Sequence, residues 1–278
     1  VDGPKSDEVR RYFIENALYW VHEFHVDALR LDAVHAIHDE TAAPFLMELA
    51  DAVGRYSTDL NRRVYLIAES DLNDPRVLRP AAAGGLGLDA QWADDLHHVS
   101  FTLLAGDECP YHRDYDRFDL LATAYRTGFA YTGQFSATRE RRHGHPPADL
   151  PGRQFVVCVQ NHDQVGNRKF GERLGALVGF EPQKLAAATV LRSPYTPLLF
   201  MGEEYAEAAP FQYFVDFADP GLAEAVRRGR KEEFGLHGGD DPPDPQAEET
   251  FRRSALDRDL RHGGKHAVMW AFYRELLR

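Results

Sequence analysis

Three acids stand at or just beyond the ends of separate apolar runs: Asp32 after "DALRL", Glu69 after "VYLIA" and Asp163 in "FVVCVQNHD". Carboxylates brought together repel unless one is protonated or a cation lies among them, and Arg30, two residues before Asp32, is placed to be that cation. In an extended segment Arg30 and Asp32 fall on one side and Leu29 and Leu31 on the other. The leucines can then be buried while the charges meet, and Arg30 keeps Asp32 ionised and aimed. An ionised carboxylate beside a second one held protonated is the working pair of a glycosidase, nucleophile and general acid/base. Taken singly, each acid reads more readily as a helix cap or loop ligand, and an Arg–Asp pair as a structural contact. The coincidence over three runs is what favours chemistry.

The elements that must carry these residues alternate. Ser6 followed by Asp7 and Glu8 predicts a helix N-cap with an acidic first turn, and Ile14, Leu18 and Val21 recur at helical spacing. A short strand follows at 27–34. Pro44, Phe45, Leu46, Leu49 and Val53 mark the next helix, and "VYLIAES" is dense enough for a strand buried on both faces. "LDAQWADD", "FVVCVQNHD" and "PLLFMGEEY" are three further strand candidates. "FDLLATAYRTG", "PQKLAAATVLRS" and "HAVMWAFYRELLR" read as helices, the last with Met269, Phe272, Tyr273 and Leu276 on one face. Gly- and Pro-rich stretches near 139–153 and 237–246 are expected to be loops. Strand and helix in alternation predict a parallel α/β fold, and all five strand candidates end in polar residues at their C-terminal side, where both barrels and open sheets gather ligands. No strand is followed by a Gly-rich phosphate loop, so a (β/α)8 TIM barrel is preferred to a doubly wound sheet.

Composition narrows the partners. The 278 residues suffice for one large domain, and 44% are hydrophobic. A net charge of −12 argues against nucleic acid or an anionic membrane, both of which would be repelled. No apolar run approaches the roughly 20 residues of a membrane span. The start "VDGPKSDEVRR" lacks the order of a signal peptide, so a reducing cytoplasm is the expected setting. Cys109 and Cys158 have no disulfide or metal spacing and are expected to be core thiols.

The histidines fall in close pairs: His22 with His25, His35 with His38, His97 with His98 and His143 with His145. Catalytic zinc wants three ligands at known spacing, and no pair comes with a third, so neither a metal nor a cofactor is expected.

In order and spacing, "DALRLDAVHAI", "YLIAES" and "VQNHDQVGNR" resemble the second, third and fourth signature regions of the α-amylase superfamily of glycoside hydrolases. The resemblance implies Asp32 as nucleophile, Glu69 as acid/base and Asp163 as transition-state stabiliser, with Arg30, His35 and His162 as supporting substrate-binding residues. Within the superfamily, "WADDLHH", "YTGQFSATRERRHG" and "PFQYFVDF" resemble enzymes that release trehalose from maltooligosyl trehalose. That implies retaining cleavage of the α-1,4 bond next to the terminal trehalose, with related α-glucans as ligands. A glycogen branching enzyme and a non-catalytic glucan-binding segment are the alternatives. Asp94, Asp95, His97, His98 and Gln212, expected on strand-end loops, are candidates to bind the trehalose end. Trp92, Tyr205, Phe211 and Tyr213 are candidates to stack on sugar faces. Five strands where a barrel has eight imply that residues 1–278 are the C-terminal portion, about strands 4 to 8, of one catalytic barrel domain truncated on its N-terminal side. The C-terminal β-domain usual in the superfamily has no counterpart here.

Overall fold

A computed structural model gives the structure of the protein and describes residues 1–106, 110–147, 149–235 and 240–278. The chain divides into two compact units. The first comprises Val1–Val99, Glu108–Val157 and Pro194–Pro197, the second Ser100–Asp107, Cys158–Ser193 and Leu198–Arg278.

The first unit is built on strands β1 (Ala28–Leu31), β2 (Tyr65–Ala68), β3 (Ala90–Trp92), β6 (Phe155–Cys158) and β7 (Thr196–Leu198), which form one sheet in that order; β6 and β7 run out at Cys158 and Leu198. A separate two-stranded hairpin, β4 (Phe135–Ser136) with β5 (Arg141–Arg142), is antiparallel. In the large sheet β1 pairs with β2, β2 with β3 and β3 with β6, all parallel, with Arg30 opposite Ile67, Ile67 opposite Ala90 and Trp92 opposite Val156. All four residues of β6 are buried, as a run apolar on both faces requires. The strands follow one another across the sheet in chain order, apart from the inserted hairpin. Among the described residues no reversal of order marks a switch point of the doubly wound kind.

Helices connect them: α1 (Asp7–Glu23), α2 (Phe45–Asp59), α3 (Asp95–Ala105) and α4 (Phe118–Thr127). In α2 the buried residues are Phe45, Leu46, Leu49 and Val53, the anticipated stripe. Its start is fixed by a residue that periodicity does not flag. The Asp39 carboxylate accepts the Phe45 N–H at 2.6 Å, the Thr41 N–H and hydroxyl, and a guanidinium N–H of buried Arg10 at 2.6 Å. Helix α4 stops at Gly128, whose φ of 90° lies in the left-handed region; a Cβ there would come 2.8 Å from the Phe155 ring, so shape and backbone both demand glycine.

The second unit holds α5 (His162–Gly166), α6 (Leu174–Leu177), α7 (Phe180–Leu191), α8 (Pro220–Gly235), α9 (Glu248–Arg253) and α10 (Gly264–Leu276). Its core joins Ala187 of α7 to Met269 and Tyr273 of α10, with Phe180, Leu191, Phe272 and Leu276 packed against them. The apolar face read from the sequence of α10 is therefore the buried one.

Several sequence expectations need correction. Ser6 has helical angles and makes no side-chain cap, so α1 begins without the expected N-cap bond. "MGEEY" turns into a short 3-10 helix, Glu203–Tyr205, because β7 ends at Leu198. The stretch near 139–153 contains β5, since Arg141 and Arg142 pair back onto β4. Of the second loop, 236–239 lie outside the described residues, as does Cys109; Cys158 is a buried free thiol. Among the described residues no helix is long and apolar enough to cross a membrane.

Candidate active site

Parallel pairing of β1 with β2 delivers the ends of both strands to one edge. The Glu69 N–H donates to the Leu31 carbonyl at 2.9 Å and the Val34 N–H to the Glu69 carbonyl at 3.0 Å, so the backbone stitches the two ends together. Between them the chain turns through Ala33, whose φ of 44° and ψ of 47° are left-handed, an uncommon conformation for a residue with a Cβ. That turn aims the Ala33 N–H at Glu69, whose Oε2 accepts it at 2.5 Å. Strain of this kind persists only where surrounding contacts over-determine it.

Arg30 occupies the centre of this edge. One guanidinium nitrogen donates to Asp32 Oδ1, and the other lies 3.9 Å from Glu69 Oε2. The pleat places Arg30 and Asp32 on one side, as the period-2 spacing requires. From the third strand, the Trp92 ring lies beneath the guanidinium, 4.4 Å from the ring centroid to Cζ. One face of half-buried Trp92 is therefore occupied by Arg30, and the ring helps to position the cation. The Asp32 side chain is 78% exposed and that of Glu69 19%. One carboxylate is thus open to solvent and the other recessed behind it. His35, on the turn after β1, puts Nε2 3.7 Å from Asp71 Oδ1, a residue just past β2 that sequence reasoning passed over.

In the second unit, Asn161 caps α5 by accepting the Gln164 N–H at 2.8 Å, and the first two residues of that helix are His162 and Asp163. Their side chains are about half exposed, with His162 Nε2 3.4 Å from Asp163 Oδ2. The local cap therefore fixes the pair as a unit, a role for Asn161 that the apolar run alone did not reveal.

The candidates for the trehalose end sort differently from their sequence placement. Asp94 is half-buried and its carbonyl accepts the His98 N–H. Asp95, His97 and His98 lie within α3 rather than on a loop, because β3 ends at Trp92 and the helix starts at once. The Asp95 carboxylate accepts four hydrogen bonds, from Asn73 Nδ2, the Tyr115 hydroxyl and the Ala130 and Tyr131 N–H groups. Three of those bonds fall on Oδ2 and one on Oδ1, so its place in the fold is that of a buried hub. His97 and His98 are buried against His112. In the second unit Gln212 is buried, its N–H donating to the Ser254 hydroxyl, and Tyr213 is exposed with Arg230 over its ring at 4.9 Å. Tyr205 is buried and donates to Glu207, and half-buried Phe211 makes edge contacts with Phe200 and Phe214.

A second buried polar cluster escaped the sequence reading. Glu203, Gln160, Arg173 and Tyr273 line a cavity of about 20 Å³ in the second unit. Burial, only partly offset by hydrogen bonds, pushes the Glu203 carboxyl up to about 8, and burial lowers Arg173 from the ordinary arginine range. Nothing in the spacing of "MGEEY" distinguishes buried Glu203 from half-buried Glu204 beside it.

No family model matches the chain. Among curated proteins it is 47% identical to the malto-oligosyltrehalose trehalohydrolase of Arthrobacter ramosus, over 100% of this chain and 49% of the relative, and 45% identical to that of Saccharolobus solfataricus, over 100% and 46%. A 1,4-alpha-glucan branching enzyme from Myxococcus xanthus is more distant, 28% identical over 94% of this chain. Among solved structures, a putative alpha amylase from Salmonella typhimurium superposes with a TM-score of 0.90 at 43% identity, covering 98% of this chain and 46% of the other. AmyP in complex with maltose, 16% identical with a TM-score of 0.56, shares the fold. The chain spans about half the length of the curated relatives it matches.

Proposed function

We propose, on the premise that this chain is homologous along its whole length to about half of a malto-oligosyltrehalose trehalohydrolase, that it carries the catalytic carboxylates of a retaining hydrolase of that kind. In this reading the five strands of the sheet, laid down in chain order, are about strands four to eight of a (β/α)8 barrel. The observation that carries it is the guanidinium of Arg30, set against both Asp32 and Glu69 on adjacent strand ends.

The chemistry follows from that edge. Glu69, recessed, protonates the glycosidic oxygen while Asp32, open, attacks the anomeric carbon; the C–O bond breaks and a covalent glycosyl-enzyme forms. The leaving saccharide departs with the proton of Glu69. Water then attacks the same carbon, Glu69 takes its proton, and Asp32 is released. A retaining pair is expected to stand about 5–5.5 Å apart. Arg30 holds Asp32 aimed, and Asp163 with His162 grips the hydroxyls of the distorted sugar. The substrate is maltooligosyl trehalose, cut at the α-1,4 bond beside its terminal trehalose, with related α-glucans as weaker ligands. A cytoplasmic setting fits the free thiol of Cys158.

The test is trehalose release from maltooligosyl trehalose by the full-length protein and by its Asp32→Asn and Glu69→Gln variants. Turnover by the parent and a loss of at least about 100-fold in both variants is expected, in line with what positioned acid/base groups contribute. Full activity in either variant sinks the assignment. Altered iodine staining of amylose without new reducing sugar would instead point to a branching enzyme.

A further inference from the structure

We infer that His97, His98 and His112 form a binding site for one borderline transition-metal cation, zinc above all, separate from the carboxylate edge. His97 and His98 stand in the first turns of α3, and His112 reaches them from the 3-10 segment Pro110–Tyr115. Each offers an imidazole nitrogen, and these atoms all lie within 4.8 Å of one another. All three residues are buried, at 1%, 3% and 7% exposure.

Tetrahedral zinc, with Zn–N bonds of about 2.0–2.1 Å, holds its ligand nitrogens roughly 3.3 Å apart. The observed spread is closed by ring rotations that bring the nitrogens inward by about 1 Å, on the order of what side-chain torsions supply without backbone movement. Imidazole binds metal in its neutral form. Arg139 adds positive charge nearby and opposes a cation, which sets the affinity below that of an all-cysteine structural site.

The walls are rigid. Tyr115, fully buried, stacks 5.0 Å from His98 and donates its hydroxyl to Asp95 at 2.7 Å, and Asp95 is itself fixed by three further hydrogen bonds. Among the described residues no fourth histidine, cysteine or carboxylate joins the group, so the fourth position falls to water or a small exogenous ligand. An all-nitrogen set of this kind selects zinc, cobalt, nickel or copper over calcium and magnesium, which take oxygen.

The full-length protein, stripped with chelator and then titrated with Zn(II) and separately with Co(II), tests this. Expected are stoichiometric retention of zinc after desalting and a visible Co(II) absorption typical of four-coordinate nitrogen ligation. His98→Gln and His112→Gln should each weaken zinc binding at least about 10-fold, the smallest loss expected from disturbing a ligand shell. Circular dichroism establishes that each variant is folded. Failure of the parent to retain zinc overturns the site whatever the variants do, and undiminished retention by both variants overturns its assignment to these histidines.

Discussion

The guanidinium of Arg30 lies 4.4 Å over the ring of Trp92, so a side chain of β3 supports the cation that stands between carboxylates delivered by β1 and β2. Three adjacent strands therefore cooperate in one charge arrangement. Trp92→Leu keeps apolar bulk but removes the ring face, worth about 0.5–2 kcal/mol in such pairs. The expected result is a fall in kcat/KM of roughly 10-fold with trehalose-forming turnover as the readout. Unchanged kcat/KM in a folded variant would show that the stacking does nothing for the carboxylates.

Asp95 distinguishes a structural hub from a sugar ligand. Asp95→Asn presents an amide N–H where the protein has only donors, and is expected to destabilise the fold by about 3 kcal/mol or more, given about 1.5–3 kcal/mol for a hydrogen bond to a charged group. Urea unfolding of the variant reads this directly. A variant as stable as the parent but with a raised KM would return Asp95 to the substrate site.

Glu203 predicts a pH dependence of stability. Its folded value of about 8 exceeds the ordinary 4.5, so between those two values the native state holds a proton that the unfolded chain has lost. Stability then falls as pH rises from about 4.5 to about 8 and levels off above. Glu203→Gln, neutral throughout, should abolish this part of the decline in thermal melting curves. Parallel profiles for variant and parent would refute it.

Asp39 works in the opposite sense. Burial opposes its ionisation, but the Phe45 and Thr41 hydrogen bonds and the charge of Arg10 together bring the carboxyl down to about 2. Its contribution is present above the ordinary carboxylate value of 3.8 and is lost as pH falls toward about 2. Asp39→Asn removes one of the two anionic partners of buried Arg10, Glu48 Oε1 remaining at 3.0 Å, an expected loss of about 1.5–3 kcal/mol at neutral pH, the worth of a hydrogen bond to a charged group. Denaturant melts at pH 7 and pH 2.5 should show a large difference from the parent at the first and a small one at the second; an equal difference at both would mean that the ion pair contributes little.

Much of the positioning was legible locally. The two-residue spacing of Arg30 and Asp32 fixed their common side because pleating alternates side chains whatever the rest of the chain does. The dense apolar run before Asp163 marked a strand buried throughout, whereas the one before Glu69, expected to be buried on both faces, buries Leu66 and Ala68 and leaves Tyr65 exposed; the 3.6-residue phase of α10 marked Met269 and Tyr273 as the buried face. Asp95, His97 and His98 misled for a local reason too. The polar residues after Trp92 look like a loop, yet they begin a helix whose first turn is turned inward.

What the sequence by itself determined is therefore direction: which side of a strand or helix each residue faces, and that acids follow apolar strands. What only the tertiary structure decided is company. Trp92 under Arg30 depends on the register of β3 in the sheet, His112 beside His97 and His98 on where a distant turn packs, and Asp39 on Arg10 on how α1 lies against the entry to α2. The backbone imposes periods of 2 and 3.6 residues by its own geometry. Contacts between residues far apart in sequence arise only from pairing and packing of whole elements, which no spacing within one element encodes.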